Sequence, residues 1–366
     1  MTALRVLAFV AGVSVIALTL RSAVRTFLVP RALQAFLARI VFVLVRHLFR
    51  FRANRRHTYE RRDRVMAFYA PIALLTLLAT WLVLALAGFT AVFWSLGVTP
   101  LREAFIASGS SLLTLGFSRP ESLAAVSAAF VEATIGLFLL ALLITYLPIL
   151  YAAFQRREAG VSKLEVRAGV PPSGVYLLEL AWTVGQLDSL RDLWISWENW
   201  FVDVDESHTS LAALAYFRSP HANESWITAA GAILDGASLY VSSVERPRTP
   251  EPEFMVRSGF LALRHIADFF GIPVDHDPRP TDPISIRREE FDEAYASLLA
   301  TGLPMKPDKD QRWRDFAGWR VNYDAALVGL AQRTMAPPAP WSSDRTPDTH
   351  TVPSMFRRRS RERPPA

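Results

Sequence analysis

Five consecutive residues, Thr114-Leu115-Gly116-Phe117-Ser118, have the types and spacing best suited to bind an ion. Successive backbone carbonyls and a threonine hydroxyl can replace the water around a cation when they all face one side of the chain. Turning successive carbonyls in this way requires positive φ angles, which Gly116 adopts without steric cost. Ser118 stands where a second glycine is expected, and a residue with a Cβ is strained at positive φ. These residues predict a loop that binds cations through its carbonyls.

A short helix must position this loop. Thr99 and Pro100 have the types of a helix N-cap and a first helical residue. Glu103 falls in the first turn, where a carboxylate complements the helix dipole, and it is also a candidate for lining the pore or supporting the loop. A helix from Pro100 to Leu113 spans roughly 21 Å, less than the hydrocarbon core of a bilayer. We expect it to end at membrane depth with its negative end toward a cation, where non-helical backbone must be covered by protein or line a water-filled cavity.

Two apolar stretches long enough to cross a bilayer flank this segment. Met66–Val98 contains no charged residue or histidine, and Leu123–Phe154 contains Glu132 as its only charged residue. About 20 predominantly apolar residues cross the hydrocarbon core, so both stretches are predicted to be transmembrane helices.

Two residues of the second stretch are candidates for supporting or lining an ion pathway. An intramembrane carboxylate such as Glu132 faces the protein interior or water. The structural alternative is that Glu132 only accepts a hydrogen bond from one of three nearby hydroxyls, those of Ser110, Ser111 and Thr134. Gly136 is predicted to act either as a gating hinge or as a small residue that permits close helix packing.

Residues 1–29 are a third candidate for a transmembrane helix. Their apolar core, Val6–Leu20, becomes long enough if the aliphatic parts of Arg21 and Arg25 lie along the apolar surface. A cleaved signal peptide is the alternative. No small-x-small cleavage site precedes a polar mature start, so a retained helix is predicted.

The segment 30–64 is strongly basic, with ten arginines between residues 31 and 64 against Glu60 and Asp63. The net charge of +6 would suit nucleic acid, but these arginines lie beside membrane segments, which predicts contact with anionic lipid at the inner leaflet and no nucleic acid partner. Arg39 and Arg46 would lie deep in lipid in a crossing helix. Residues 31–52 are therefore predicted to form an amphipathic interfacial helix.

The position of this basic segment also predicts the orientation of the chain. Under the positive-inside rule it lies inside, which places the N-terminus outside and residues 99–122 at the outer face. Everything after residue 155 is then cytoplasmic. The chain is predicted to be a multi-pass protein of the cell membrane.

Residues 160–335 have the composition of a globular domain and are predicted to form an α-helical cytoplasmic domain. Trp194, Trp197 and Phe201 are expected to enter its core. Helices are predicted around 175–201, 209–217, 225–243, 254–270, 288–300 and 312–335. Residues 336–366, rich in proline, serine and charge, are predicted to be a disordered basic tail. The fold class is thus mostly α.

Several kinds of chemistry are excluded or disfavoured. The absence of cysteine excludes disulfides, thiolate zinc sites and cysteine nucleophiles. Acidic residues and histidines cluster at three places: Asp203, Asp205, Glu206 and His208; His265 and Asp268; and Asp275-His276-Asp277. None of these spacings matches a standard metal motif, and they are interpreted as surface or packing groups. No catalytic residue, metal or cofactor is predicted.

The order helix, re-entrant pore helix, Thr-x-Gly-aromatic loop and helix resembles the two-helix pore module of the potassium channel superfamily, over about residues 66–155. The resemblance implies that Thr114 supplies a hydroxyl and a carbonyl ligand, and that Leu115, Gly116, Phe117 and Ser118 complete the filter. It also implies four chains around one pore, and therefore a homotetramer.

The leading hypothesis is a channel-like membrane protein that passes monovalent cations and is gated or assembled by its cytoplasmic domain. The family pattern is Thr-Val-Gly-Tyr-Gly, usually followed by an acid. Phe117, Ser118 and Arg119 depart from it, which leaves the choice between K⁺ and Na⁺ open. Two alternatives remain: a membrane-anchored sensor or scaffold with a non-conducting pore module and, disfavoured by the lack of catalytic residues, a membrane-tethered enzyme.

Overall fold

The computed structural model of the chain describes residues 2–29, 36–52 and 58–345. This part of the chain is mostly helical and contains no β-strand, which confirms the predicted class. The helices are α1 Thr2–Phe27, α2 Phe36–Arg52, α3 Tyr59–Ala67, α4 Tyr69–Ser95, α5 Leu101–Leu112, α6 Leu123–Ala168, α7 Gly174–Thr183, α8 Leu190–Ser210, α9 Trp226–Ser243, α10 Glu251–Phe269, α11 Arg288–Ala300, α12 Lys309–Arg320 and α13 Asp324–Thr334. Short 3-10 helices cover Ala212–Tyr216 and Ser343–Arg345.

Three helical stretches are long and apolar enough to cross a membrane: Thr2–Phe27, Tyr59–Ser95 and Leu123–Ala168. They cover the three apolar stretches predicted from the sequence, except that the helical part of Met66–Val98 ends at Ser95. Within the basic segment, α2 is helical as expected, and its interfacial position stays a prediction. Residues 30–35 and 53–57 of that segment lie outside the described residues.

The chain divides into two compact units. The apolar unit contains Met1–Leu48 and Phe68–Ala152, and the C-terminal unit contains Phe49–Ala67 and Ala153–Ala366.

In the apolar unit, α4 packs against both α1 and α5. Two glycines allow α1 and α4 to approach closely, since a Cβ on Gly12 would lie 2.5 Å from the carbonyl oxygen of Gly88. Trp81 of α4 is fully buried and donates a hydrogen bond from Nε1 to Ser22 Oγ at 3.2 Å. Large apolar side chains on the other face of α1, such as Leu7 and Val10, stay exposed, as expected for a surface that meets lipid.

In the C-terminal unit, α9 is the central helix. Nearly all of its side chains are buried, and it packs against α7, α10 and α12. On α8, Trp194, Trp197 and Phe201 are buried as predicted.

Two of the predicted helices are each divided in the structure. The stretch 175–201 forms α7 and α8, because Gly185 adopts a φ of +69° and Gln186 N donates to Ala181 O at 2.8 Å, closing α7 with a left-handed cap. The stretch 312–335 forms α12 and α13, because the turn between them buries Tyr323 and brings its hydroxyl to Asp235. The predicted helix 209–217 is the end of α8 followed by a 3-10 turn.

Ordered packing continues into the segment predicted as a tail. The Trp341 ring lies 5.6 Å from that of Phe316, and Arg345 pairs with Glu290. Packed structure therefore extends at least to Arg345, beyond the expected boundary at residue 336. The arginine-rich remainder of the tail lies outside the described residues.

Candidate functional site

The start of α5 differs from the sequence-based expectation. Pro100 has an extended ψ of 178° and occupies the N-cap position, and the helix begins at Leu101. The carbonyl of Pro100 accepts the amide of Glu103 at 2.9 Å, so no threonine cap is used, and the prediction of Thr99 as N-cap is wrong. Glu103 lies in the first turn, as expected. It pairs with Arg102 at 3.5 Å in an exposed position, where such a pair contributes little free energy.

The end of α5 is closed by a left-handed cap at Thr114. The amide of Leu115 donates to Ser110 O at 2.8 Å, and the amide of Thr114 donates to Ser111 O at 3.0 Å. This pair of bonds is the Schellman arrangement, in which the residue at the Thr114 position is usually glycine. Thr114 has a φ of +55°, which costs a β-branched residue on the order of 1–3 kcal/mol. The backbone strain expected at Ser118 is thus found at Thr114.

Ser110 attaches the loop to α5. Its carbonyl accepts the amides of Leu115 and, at 3.3 Å, Gly116. Its hydroxyl accepts the amide of Ser118 at 3.1 Å. Gly116 has a φ of +74°, as its role in the predicted loop requires. The hydroxyl of Thr114 donates to Leu113 O at 2.8 Å.

The described part of the chain leaves residues 114 to 117 exposed and Ser118 partly buried. Leu115 and Phe117 are 60% and 68% exposed, and no atom lies within 4 Å of the position that a Cβ on Gly116 would take. Non-helical backbone is tolerated at membrane depth only when it is buried in protein or lines a water-filled cavity. The loop therefore provides an exposed surface of backbone and apolar groups.

Glu132 lies where three helices meet. Its carboxyl is fully buried, and Ser108 Oγ of α5 lies 2.5 Å from its Oε1 and 3.1 Å from the carbonyl of Leu86 on α4. Its second oxygen, Oε2, is buried and has no hydrogen-bond partner in the described part of the chain. A buried carboxylate oxygen without a partner costs free energy and is a feature that requires an explanation.

The serine that contacts Glu132 is not one of the three expected from the sequence. Ser111 and Thr134 donate to carbonyls of their own helices, and Ser110 contacts the loop. Ser108 lies before Ser110 and Ser111 on α5, and only the helix face on which it lies distinguishes it from them. To identify the serine that faces Glu132, one must know how α5 is rotated about its axis, which the sequence alone does not give.

Gly136 is the point of closest approach between α6 and the end of α5. A Cβ at this position would lie 2.2 Å from the carbonyl oxygen of Leu112. Such a distance is not tolerated, so only glycine allows the last turn of α5 to lie against α6. This contact supports the packing role of Gly136, and its role as a hinge stays a prediction.

In the C-terminal unit, His208 is separated from its acidic neighbours in the sequence. It is fully buried, and its Nε2 accepts from Arg157 Nη1 at 3.3 Å while Nδ1–H donates to Val204 O at 2.9 Å. Burial, and next the charge of Arg157, lower the pKa of His208 well below its usual value. His208 is therefore a neutral core group.

Four of the other eight acidic and histidine residues form two separate surface pairs. His265 Nδ1 lies 2.7 Å from Asp205 Oδ2, and His276 Nε2 lies 3.3 Å from Asp268 Oδ2. His265 and Asp268 are thus near in sequence but have different partners. Among the described residues, no group of three or more such side chains is placed to ligate a metal ion.

Comparisons with known proteins were made at three levels. No family model, no curated protein and no solved structure matches the chain. The function is therefore inferred from the residues and contacts described above.

Proposed function

We propose that this protein is a channel-like membrane protein that conducts monovalent cations through a pore formed by four copies of the chain. In this proposal α5 is the re-entrant pore helix and residues Thr114 to Ser118 form the filter. The chain lies in the cell membrane with its N-terminus outside and the C-terminal unit in the cytoplasm, where the unit gates or assembles the pore.

The conformation of the loop is the observation that supports this proposal most directly. Two residues with positive φ, Thr114 and Gly116, alternate with Leu115 directly after the end of α5. Alternation of this kind turns neighbouring carbonyls toward one side, as ion ligation by backbone requires. The negative end of α5 points toward the same residues and favours a cation there. The strain at Thr114 is a cost that an ion-binding role explains.

Exposure of the loop supports the assembly. One loop per chain offers too few carbonyls to surround an ion, and pore loops of this class act in fours. A neighbouring copy would also cover Leu115 and Phe117, which a single chain leaves exposed. The homotetramer is therefore part of the proposal.

One observation favours the alternative of a non-conducting sensor or scaffold. The amides of Leu115 and Gly116 both donate to the carbonyl of Ser110, so the loop forms a compact turn. A conducting filter needs a longer extended run of carbonyls along the pore axis. The C-terminal unit would then carry the function, and the apolar unit would anchor it.

Planar-bilayer recording of the purified protein under K⁺ and Na⁺ gradients tests the proposal. Gly116→Asp introduces a charge at a position with open space, and we expect it to change the conductance and the K⁺/Na⁺ permeability ratio. Gly97→Asp is the matched control, because Gly97 also has a positive φ and open space around it. The absence of current from wild-type protein, or equal currents in wild type and Gly116→Asp, would overturn the proposal that the protein conducts ions. The non-conducting sensor or scaffold would then be the remaining proposal.

The oligomeric state is an independent test. Light scattering on detergent-solubilised protein, corrected for bound detergent, is expected to give the mass of four chains. A monomeric mass would contradict the filter, because no ring of carbonyls could then form.

A further inference from the structure

A cavity of about 600 Å³ in the C-terminal unit has no role in the proposed pore. It lies between the end of α9, the start of α10, Lys306 and one face of α12. Its volume is within the range of small-molecule sites, which is ~300–1,000 Å³.

The walls of this cavity carry more positive than negative charge. Four cations line it, namely Arg246, Arg248, Lys306 and Arg314, together with two carboxylates, Glu253 and Asp315. The carboxylates already have partners, since Glu253 binds Arg248 through two hydrogen bonds of 2.7 and 2.9 Å and Asp315 lies 3.4 Å from Arg312. The remaining cations are therefore poorly compensated.

Three of these cations are available to an anion. In the described part of the chain neither Lys306 nor Arg314 lies in an ion pair, and Arg246 is 3.4 Å from a highly exposed Asp188. Arg246 Nε is buried without a hydrogen-bond partner in that same part of the chain. A phosphate group accepts several such N–H donors at once, and arginine is well matched to its geometry.

Lys306 is held in a position unfavourable for a cation. Its Nζ donates to Val241 O at 2.7 Å, and burial, followed by the nearby charge of Arg312, lowers its pKa. Desolvated like charges destabilise each other unless an anion lies between them. A bound anion would compensate this arrangement.

Aromatic side chains complete the cavity. Tyr240 and Trp319 line it and are half-buried, and Pro247 and Pro280 add apolar surface. Aromatic and apolar walls with a few polar groups at one side are typical of sites for organic ligands. The combination suits a molecule with a planar ring and a phosphate.

We propose that this cavity binds a small phosphorylated ligand of the nucleotide class, with its phosphate near Arg246, Lys306 and Arg314 and its ring near Tyr240 and Trp319. Binding does not depend on whether the protein conducts ions, so the two proposals fail independently.

Isothermal titration calorimetry of the full-length protein in detergent tests this site with adenosine 5′-monophosphate, inorganic phosphate and adenosine as probes. We expect saturable binding of the monophosphate, competition by phosphate and no measurable binding of adenosine. Arg314→Glu is the main variant, because Arg314 is exposed and, among the described residues, its hydrogen bonds go to the side chain of Gln311 alone. It should weaken binding by about tenfold or more.

Arg257→Glu is the matched control, because Arg257 is an exposed arginine of the same unit and does not line the cavity. It should bind like wild type, and thermal melts of both variants should show that the fold is kept. Trp319→Ala should weaken the binding of adenosine 5′-monophosphate and leave the binding of inorganic phosphate unchanged. No saturable binding of either anion up to millimolar concentration, or equal affinities in the two charge variants, would overturn the proposal. Equal effects of Trp319→Ala on both probes would overturn the ring contact.

Discussion

Two buried ionisable groups, Arg320 in the C-terminal unit and Glu132 in the apolar unit, are compensated differently. In the C-terminal unit, Arg320 is fully buried and donates to Asp235 at 2.6 Å, to Asp324 at 2.7 Å and to Trp341 O at 2.7 Å. Tyr323 adds a hydrogen bond to Asp235 at 2.9 Å. In the apolar unit, Glu132 has Ser108 as its partner and one oxygen without any in the described residues.

The difference separates a structural charge from a candidate functional one. A network in which every donor and acceptor is used specifies a core and fixes the positions of its helices. A buried carboxyl with a single hydrogen-bond donor gains less free energy from the fold, which makes Glu132 a candidate for a role beyond stability.

The largest expected effect is the loss of stability on removing Arg320. Arg320→Met leaves Asp235 and Asp324 buried without their common partner, which costs about 3–5 kcal/mol. Thermal and urea unfolding of the purified protein, followed by circular dichroism, would measure this loss.

Arg102→Met is the control for this change, because Arg102 forms an ion pair with Glu103 at 3.5 Å in which both side chains are exposed. Exposed pairs contribute about 0–1 kcal/mol, so this variant should unfold nearly as wild type does. Similar losses in the two variants would show that the buried network is not the main source of stability.

The next effect concerns the contact between α5 and α6. Gly136→Ala places a Cβ against the carbonyl of Leu112, and relief of this clash should cost about 1–3 kcal/mol. Gly109→Ala is the matched control, since its Cβ would lie at an ordinary 3.8 Å from Leu86. We expect a lower melting temperature in detergent for Gly136→Ala alone. Equal melting temperatures of the two variants would mean that α6 lies farther from α5 than the contact between Gly136 and Leu112 indicates.

These residues also show how far the sequence predicts the structure. Local residue types are enough to predict the apolar stretches, the helical class and the positive φ at Gly116, because membrane crossing and left-handed backbone make strong demands on composition. They are not enough to predict the pairs Ser108–Glu132 and Arg157–His208, because these depend on how helices are rotated against each other. The end of α7 at Gly185 was readable from a glycine, whereas the turn before α13 depends on burial of Tyr323 by distant residues.

A third prediction concerns the pH dependence of stability that follows from the buried, neutral His208 of the C-terminal unit. The pKa of His208 is lowered in the folded state, so the unfolded chain, with its ordinary value near 6.5, binds more protons at acidic pH. The contribution of neutral His208 to the free energy of unfolding should therefore be fully present above pH ~6.5. Below that pH the free energy of unfolding should fall by up to about 1.4 kcal/mol per pH unit, until the folded-state pKa is reached.

Unfolding of wild type and His208→Asn between pH 7.5 and 5 would measure this dependence. His208→Asn removes the titrating group, so its stability should change less over that range. Thr209→Ala is the control, because Thr209 lies on the same helix, bonds to Asp205 O at 2.7 Å and carries no group that titrates in this pH range, so this variant should keep the wild-type slope. Identical slopes in wild type and His208→Asn would contradict a buried neutral role for His208.

The smallest expected change in stability, and the most informative for the comparison, is that of Glu132→Gln. Glutamine keeps the shape of the side chain and an oxygen that accepts from Ser108, so stability should change by less than about 1 kcal/mol. If Glu132 supports the loop through Ser108 and α5, the conductance should nevertheless change, and Ser108→Ala should change it in the same direction. Thr134→Ala is the control, because its hydroxyl donates to Phe130 O within α6 and to no other group in the described residues. A Glu132→Gln protein with wild-type conductance but lowered stability would place Glu132 with Arg320, as a structural charge.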